Sequence, residues 1–125
     1  MTEFNKYQNE VKEKYANTEA YKQYSYKTKN YSQEKWEQIN QGLNDIFYQF
    51  SVCLKNNNDP SSIETLQLVK NLKNYITNNY YTCTNDILLS LGQMYVNDQR
   101  FKNNIDKFQE GTAEFVNIAI QTYCK

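Results

Sequence analysis

The run SQEKWEQINQGLNDIFYQFSVCL, Ser32 to Leu54, decides the fold. Trp36, Ile39, Leu43, Ile46, Phe47, Phe50 and Leu54 recur at i, i+3, i+4 and i+7, the period of a helix buried along one stripe. The pattern holds for about five turns. Ser32 stands where a hydroxyl caps the first turn, and Glu34 follows where the helix dipole favours negative charge. Gly42 weakens the run modestly or admits another helix at close range. Asn56-Asn57-Asn58-Asp59-Pro60 ends it, because Asn and Asp tolerate left-handed backbone and Pro stops the ladder.

The same period continues on both sides. Ser61-Ser62-Ile63-Glu64 reads as a capping box, and Ile63, Leu66, Val69, Leu72, Tyr75 and Ile76 follow as far as Asn78-Asn79. Tyr80-Tyr81-Thr82-Cys83 leads into a helix expected over 84–96. Ile87, Leu91, Met94 and Tyr95 form one face of it, and Leu88, Leu89 and Val96 add apolar area elsewhere. Gly92 in its middle costs about 1 kcal/mol against Ala, which implies a packing reason or a cavity. Asp98 caps a short helix through Phe101, Ile105 and Phe108. A last helix starts near Gly111-Thr112 and carries Phe115, Val116, Ile118, Ala119, Ile120 and Tyr123. Toward the N-terminus, Phe4, Tyr7, Val11 and Tyr15 stripe a helix over about 3–16. Thr18 then caps a second short one, over about 19–29, around which Tyr21, Tyr24 and Tyr26 are spread. No internal repeat or linker breaks the series, so the expectation is a single all-α domain over residues 1–125.

Composition excludes several function classes. The 125 residues include 12 Tyr, 18 Asn and 11 Gln, but 3 Gly, 1 Pro and no His. Without His, a Ser or Cys nucleophile has no imidazole base, and His-ligated zinc is impossible. Cys53, Cys83 and Cys124 lack CxxC spacing and fit reduced, buried thiols better than a disulfide framework. Asp86, Asp98, Glu110 and Glu114 are scattered and read as surface or capping acids. Neither catalytic residues, a metal site nor a cofactor is expected. Lys plus Arg balances Asp plus Glu at 14 each. The sole arginine is Arg100, which argues against direct nucleic-acid contact. The lysines between Lys12 and Lys35 alternate with Glu10, Glu13, Glu19 and Glu34, as a solvated face does. No apolar run approaches the roughly 20 residues of a membrane span, and the first residues carry no signal peptide, so a cytoplasmic location is expected.

The aromatic and apolar residues of the 84–96 helix, beside Tyr80 and Tyr81, match a ligand pocket in composition and match a helix-bundle core equally well. Four blocks supply more. Asn17-Thr18-Glu19-Ala20-Tyr21, Tyr31-Ser32-Gln33-Glu34-Lys35-Trp36, Leu91-Gly92-Gln93-Met94-Tyr95-Val96, and Asp98-Gln99-Arg100-Phe101 with Asn104-Ile105-Asp106 occur in this order. Together they resemble the TipA-type antibiotic-recognition domain, the C-terminal effector domain of thiostrepton-induced MerR-family activators, over about residues 7–123.

The resemblance implies a globin-like helical arrangement with a cleft for thiopeptides and other bulky peptide-like antibiotics. It implies N-terminal lid helices, about 1–30, that are mobile without ligand and close over it, on a helical core of about 32–125. The winged helix-turn-helix and dimerising coiled coil of full-length activators have no counterpart in the sequence. The resemblance therefore leaves two settings, an effector domain tethered to or partnered with a MerR-type DNA-binding domain, or a stand-alone protein that sequesters drug. In the family, a cysteine just before Leu-Gly-Glu-Met-Tyr adds to the dehydroalanine tail of thiopeptides. Here that position is Ser90, and the histidine often found two residues earlier is Leu88. A serine hydroxyl without a base is a poor nucleophile, so binding is expected to be non-covalent. Cys83, taken to lie two turns away along the same helix, is not expected to substitute. The expected ligand-binding residues are Tyr24, Trp36, Tyr80, Tyr81, Leu88, Ser90, Leu91 and Tyr95. The alternative is a protein–protein interaction module that keeps the fold without a ligand site.

Overall fold

The computed structural model describes residues 18–125. The helix expected over 3–16 lies outside them. The described residues form six helices: α1 (Glu19–Thr28), α2 (Gln33–Lys55), α3 (Ile63–Asn79), α4 (Asn85–Asn97), α5 (Gln99–Asp106) and α6 (Thr112–Tyr123). The all-α expectation holds.

The helix starts follow side-chain chemistry. Thr18, Ser32 and Thr84 each accept a hydrogen bond from the backbone N–H three residues on, at 3.1, 3.0 and 3.2 Å. Asp98 does the same for Arg100 and also pairs with its guanidinium at 2.7 Å. That hydrogen bond, with the adjacent positive charge, holds the Asp98 carboxyl below its ordinary value. The capping box is shifted by one residue from the sequence reading. Ser62 is the N-cap of α3 and accepts from the Thr65 N–H at 3.2 Å, while Ser61 binds Asp59. Asp59 holds Ser61 from behind and leaves Ser62 to face the helix. Gly111 precedes α6 with φ +91°, a geometry only glycine adopts readily, and it brings no side chain to cap the helix. Asp106 supplies the missing acceptor to the Ala113 N–H at 2.8 Å and is itself held by Lys102 at 2.9 Å.

The core is gathered around α6, which packs against α2, α3, α4 and α5. Phe50, Leu72, Leu88, Ile105, Val116 and Ile120 are fully buried there. Two glycines permit its closest approaches. A methyl group on Gly92 would stand 2.6 Å from Asn117 Oδ1 and 3.3 Å from Ile120 Cδ1, so α4 and α6 meet over a bare backbone. A methyl on Gly42 would collide with the Tyr75 ring, whose hydroxyl donates to Ile39 O at 2.7 Å. Gly92 therefore has a packing reason and does not line a cavity. One part of the α3 stripe is corrected. Ile63 is 85 % exposed, and Thr65, Leu68, Val69, Leu72 and Ile76 form the buried face. At 100° per residue Ile63 lies about 140° round the helix from Ile76, too far to share its face.

Candidate functional site

The tyrosines converge at one corner, where α1, the start of α2 and the end of α3 meet. Tyr24 comes from the middle of α1, Trp36 from the first turns of α2, and Tyr80 is the residue that ends α3. Their ring centroids form a near-equilateral triangle: Tyr24 to Tyr80 6.1 Å, Tyr24 to Trp36 6.4 Å, Trp36 to Tyr80 6.4 Å. Tyr31, in the turn between α1 and α2, meets Trp36 edge-on at 5.1 Å, and Tyr21 flanks Tyr24 at 6.0 Å. These are ordinary spacings for interacting aromatic rings.

The corner is moored through backbone atoms. The last carbonyls of a helix lack intrahelical partners and attract cations. Lys27 Nζ donates to Thr77 O at 3.0 Å and to Asn78 O at 3.4 Å. Tyr31 donates its hydroxyl to Asn79 O at 2.6 Å. Gln23 Oε1 accepts from the Thr82 N–H at 2.7 Å. The α1 helix and its following turn thus finish the hydrogen bonding of the α3 C-terminus and the loop after it. None of α1's own residues is fully buried.

Tyr80 is 7 % exposed, and its hydroxyl has no hydrogen-bond partner among the described residues. Burial raises its pKa far above the ordinary phenol value, and the nearby hydroxyls of Tyr75, Tyr24, Tyr31 and Tyr81 raise it further. Tyr75 and Tyr31 are raised too, again mainly by burial. All three stay neutral at physiological pH. The corner therefore offers flat apolar faces and neutral hydroxyls, a combination suited to ligands of mixed polarity.

The expected site residues divide. Tyr24, Trp36 and Tyr80 are brought together, and Tyr81 follows them half-buried against the core. Leu88 and Tyr95 belong to the core, at 0 % and 4 % exposure. Tyr95 meets Phe47 edge-on at 5.3 Å and lies 5.9 Å from Phe101. The buried stripe of α4 is Leu88, Gly92 and Tyr95, at i, i+4 and i+7, which corrects the expected face. Ile87, Leu91 and Met94 form a half-buried apolar row beside it, and Ser90 is exposed. Gly92 hides the true stripe from a reading that counts side chains, since the residue at its centre has none. Cys83 also moves. It precedes the Thr84 cap, outside α4, is 2 % exposed, and its thiol is pushed up to about 11, chiefly by burial.

Sequence reasoning missed Tyr31, Tyr75, Gln23 and Lys27 as parts of the corner. Tyr31 stood at the head of a block already singled out, beside Trp36. The other three act on backbone atoms, and sequence periodicity carries no signal for such contacts. A groove of about 300 Å³ between α2 and α3 is lined by Gln49, Val52, Cys53, Glu64 and Leu68 and by none of the expected residues. Among the described residues, no cluster of His, Cys, Asp or Glu is suited to a metal ion, and no helix is long and apolar enough to cross a membrane.

An all-α domain whose distinctive surface is a wall of aromatic rings falls in the class of helical recognition domains. Residues 7–123 match the model of the TipAS antibiotic-recognition domain, and the chain belongs to that family. It is 34 % identical over 115 residues to the HTH-type transcriptional activator TipA of Streptomyces coelicolor, covering 91 % of this chain and 45 % of that protein. It is 32 % identical over 98 residues to the HTH-type transcriptional activator mta of Bacillus subtilis, covering 78 % of this chain and 37 % of that protein. The solved complex of Streptomyces lividans TipAS with the thiopeptide nosiheptide matches with a TM-score of 0.86 at 29 % identity, over 98 % of this chain and 86 % of that one. The chain spans less than half the length of the curated activators it matches.

Proposed function

We propose that this domain binds thiopeptide-like or other bulky peptide-like antibiotics, and that it does so without a covalent bond. The observation that carries the reading is the Tyr24–Trp36–Tyr80 triangle, found in a chain that shares its fold over nearly its whole length with a nosiheptide-binding domain. Ser90 supports the non-covalent part, because no histidine exists to activate its hydroxyl. Cys83 is a poor substitute, because its thiol is buried and protonated at neutral pH. Tyr81, Leu91 and Ser90 extend the contact surface from the corner onto α4. Leu88 and Tyr95 shape that surface from behind. The segment 1–30 acts as a lid on the core of 32–125, and α1 suits the role because it buries no residue of its own.

In this reading the domain performs no catalysis and works in the cytoplasm. It acts either as the drug-sensing part of a MerR-type regulator or as a free-standing trap for the drug. Nosiheptide titration, followed by Trp36 fluorescence and by intact mass, tests it. The expected outcome is a saturable fluorescence change with no added mass. No response to nosiheptide or to other thiopeptides overturns antibiotic recognition, and a mass adduct overturns the non-covalent mode.

A further inference from the structure

Among the described residues two buried polar atoms lack a hydrogen-bond partner, Asn117 Oδ1 and the Tyr80 hydroxyl. Leaving such a group unsatisfied costs about 1–3 kcal/mol, so each needs a physical reason. Asn117 is explained by packing. Its oxygen faces the bare backbone of Gly92 where α4 and α6 pack closely, and no ligand could enter there.

Tyr80 is placed differently. It belongs to the buried core, and it also forms one vertex of the aromatic triangle against Tyr24 of α1. Its backbone N–H closes the last turn of α3 on Ile76 O at 2.9 Å, which fixes where the side chain begins. Trp36 and Tyr24 then hold the ring at 6.4 and 6.1 Å. A flip of the ring leaves the hydroxyl where it is, because the oxygen lies on the flip axis. Two neighbouring protons are committed elsewhere: Tyr75 donates to Ile39 O and Tyr31 to Asn79 O. The Tyr80 hydroxyl is therefore held in position and meets no acceptor among the described residues.

We propose that the Tyr80 hydroxyl is the polar anchor of the ligand site, donating a hydrogen bond to an amide carbonyl or ring nitrogen of a flat, largely apolar ligand. The proposal rests on the functional reading above and names the group that this site recognises. The Tyr24 and Trp36 rings take the flat face on either side of the acceptor. Access requires that Tyr24 give way with α1, which opens the hydrogen bonds of Lys27 and Gln23 to residues 77, 78 and 82 and leaves the aliphatic core around α6 closed. Burial keeps the phenol protonated, and hence a donor, at every pH the protein meets. The unmade hydrogen bond of the unliganded state is then completed by the ligand, and the specificity is for acceptors placed beside an aromatic surface.

The test is Tyr80→Phe in the full chain, which removes the oxygen and keeps the ring. Nosiheptide affinity is measured by calorimetry, and unliganded stability by thermal melting. The expected result is an unchanged or slightly raised Tm together with nosiheptide binding about tenfold weaker, the size of one neutral hydrogen bond. A Tm lowered by several degrees overturns the proposal, since it reveals a partner in the unliganded protein. Parent-like affinity in the variant overturns it as well, and leaves antibiotic recognition standing. If the parent chain binds neither nosiheptide nor any other thiopeptide, both readings fall together.

Discussion

The α4–α6 seam and the α1 corner are built on opposite plans. At the seam, Gly92 lets two helices approach until a single methyl group would collide, and Leu88, Ala119 and Ile120 are fully buried. At the corner, half-buried aromatic rings stand about 6 Å apart, and the contacts that hold α1 are hydrogen bonds to main-chain oxygens and one main-chain N–H. Aliphatic packing at crystal-like density resists any change of shape. Side-chain hydrogen bonds to main-chain atoms, which water can replace, tolerate it. The difference teaches where this molecule keeps its stability and where it keeps its adaptability.

The contrast breaks first, and most heavily, at Leu88. Leu88→Ala removes a fully buried side chain from the seam and should cost about 3 kcal/mol. Thermal melting should show Tm falling by on the order of 10 °C. A loss of a degree or two would mean that the seam adapts as freely as the corner.

Alkaline titration probes the other side. Burial favours the neutral forms of Cys83, Tyr80, Tyr75 and Tyr31, so their folded-state values are all raised. The Cys83 contribution is complete below the thiol's ordinary 9.0 and is lost as pH rises through about 11, whereas those of the tyrosines are complete below the phenol's ordinary 10.0 and are lost above it. For Cys83 alone this is about 2 kcal/mol. Because these groups sit at the corner and the loop beside it, Trp36 emission should shift at lower pH than the helical circular dichroism. Coincident transitions would show that the corner and the seam open as one unit.

The smallest effect is also the most local. Gly92→Ala should destabilise by about 1 kcal/mol, because crowding against Asn117 exceeds the gain in helix propensity. In an Asn117→Ala background the same change should stabilise. A double-mutant cycle by chemical denaturation measures this coupling, and additivity would show that the seam has room to spare.

The two regions also differ in how much of them the sequence discloses. Helix order and most caps were legible because a capping hydroxyl and a 3.6-residue stripe are local facts. The errors fell where an unseen neighbour decided. Asp59 took Ser61 and shifted the cap to Ser62. The expected face of α4, on Ile87, Leu91, Met94 and Tyr95, gave way to a buried stripe centred on Gly92, whose packing role was expected. Of the site residues, Tyr24, Trp36 and Tyr80 do come together, although 56 residues separate the first from the last in the chain. Leu88 and Tyr95 resisted assignment because an apolar side chain reads the same whether it faces a cleft or the core. The lone hydroxyl of Tyr80 had no sequence signature at all, since a missing partner becomes visible only when every neighbour is in place.

The mooring of α1 has a consequence for how such a domain diversifies. Lys27 and Tyr31 grip the carbonyl oxygens of residues 77–79, and Gln23 accepts from the amide of Thr82. Every residue type offers that carbonyl, and every type except proline offers that amide. The side chains along this stretch can therefore drift, or be randomised in a library, without casting α1 loose. A lineage could rewrite the floor of this corner one residue at a time and keep its roof throughout.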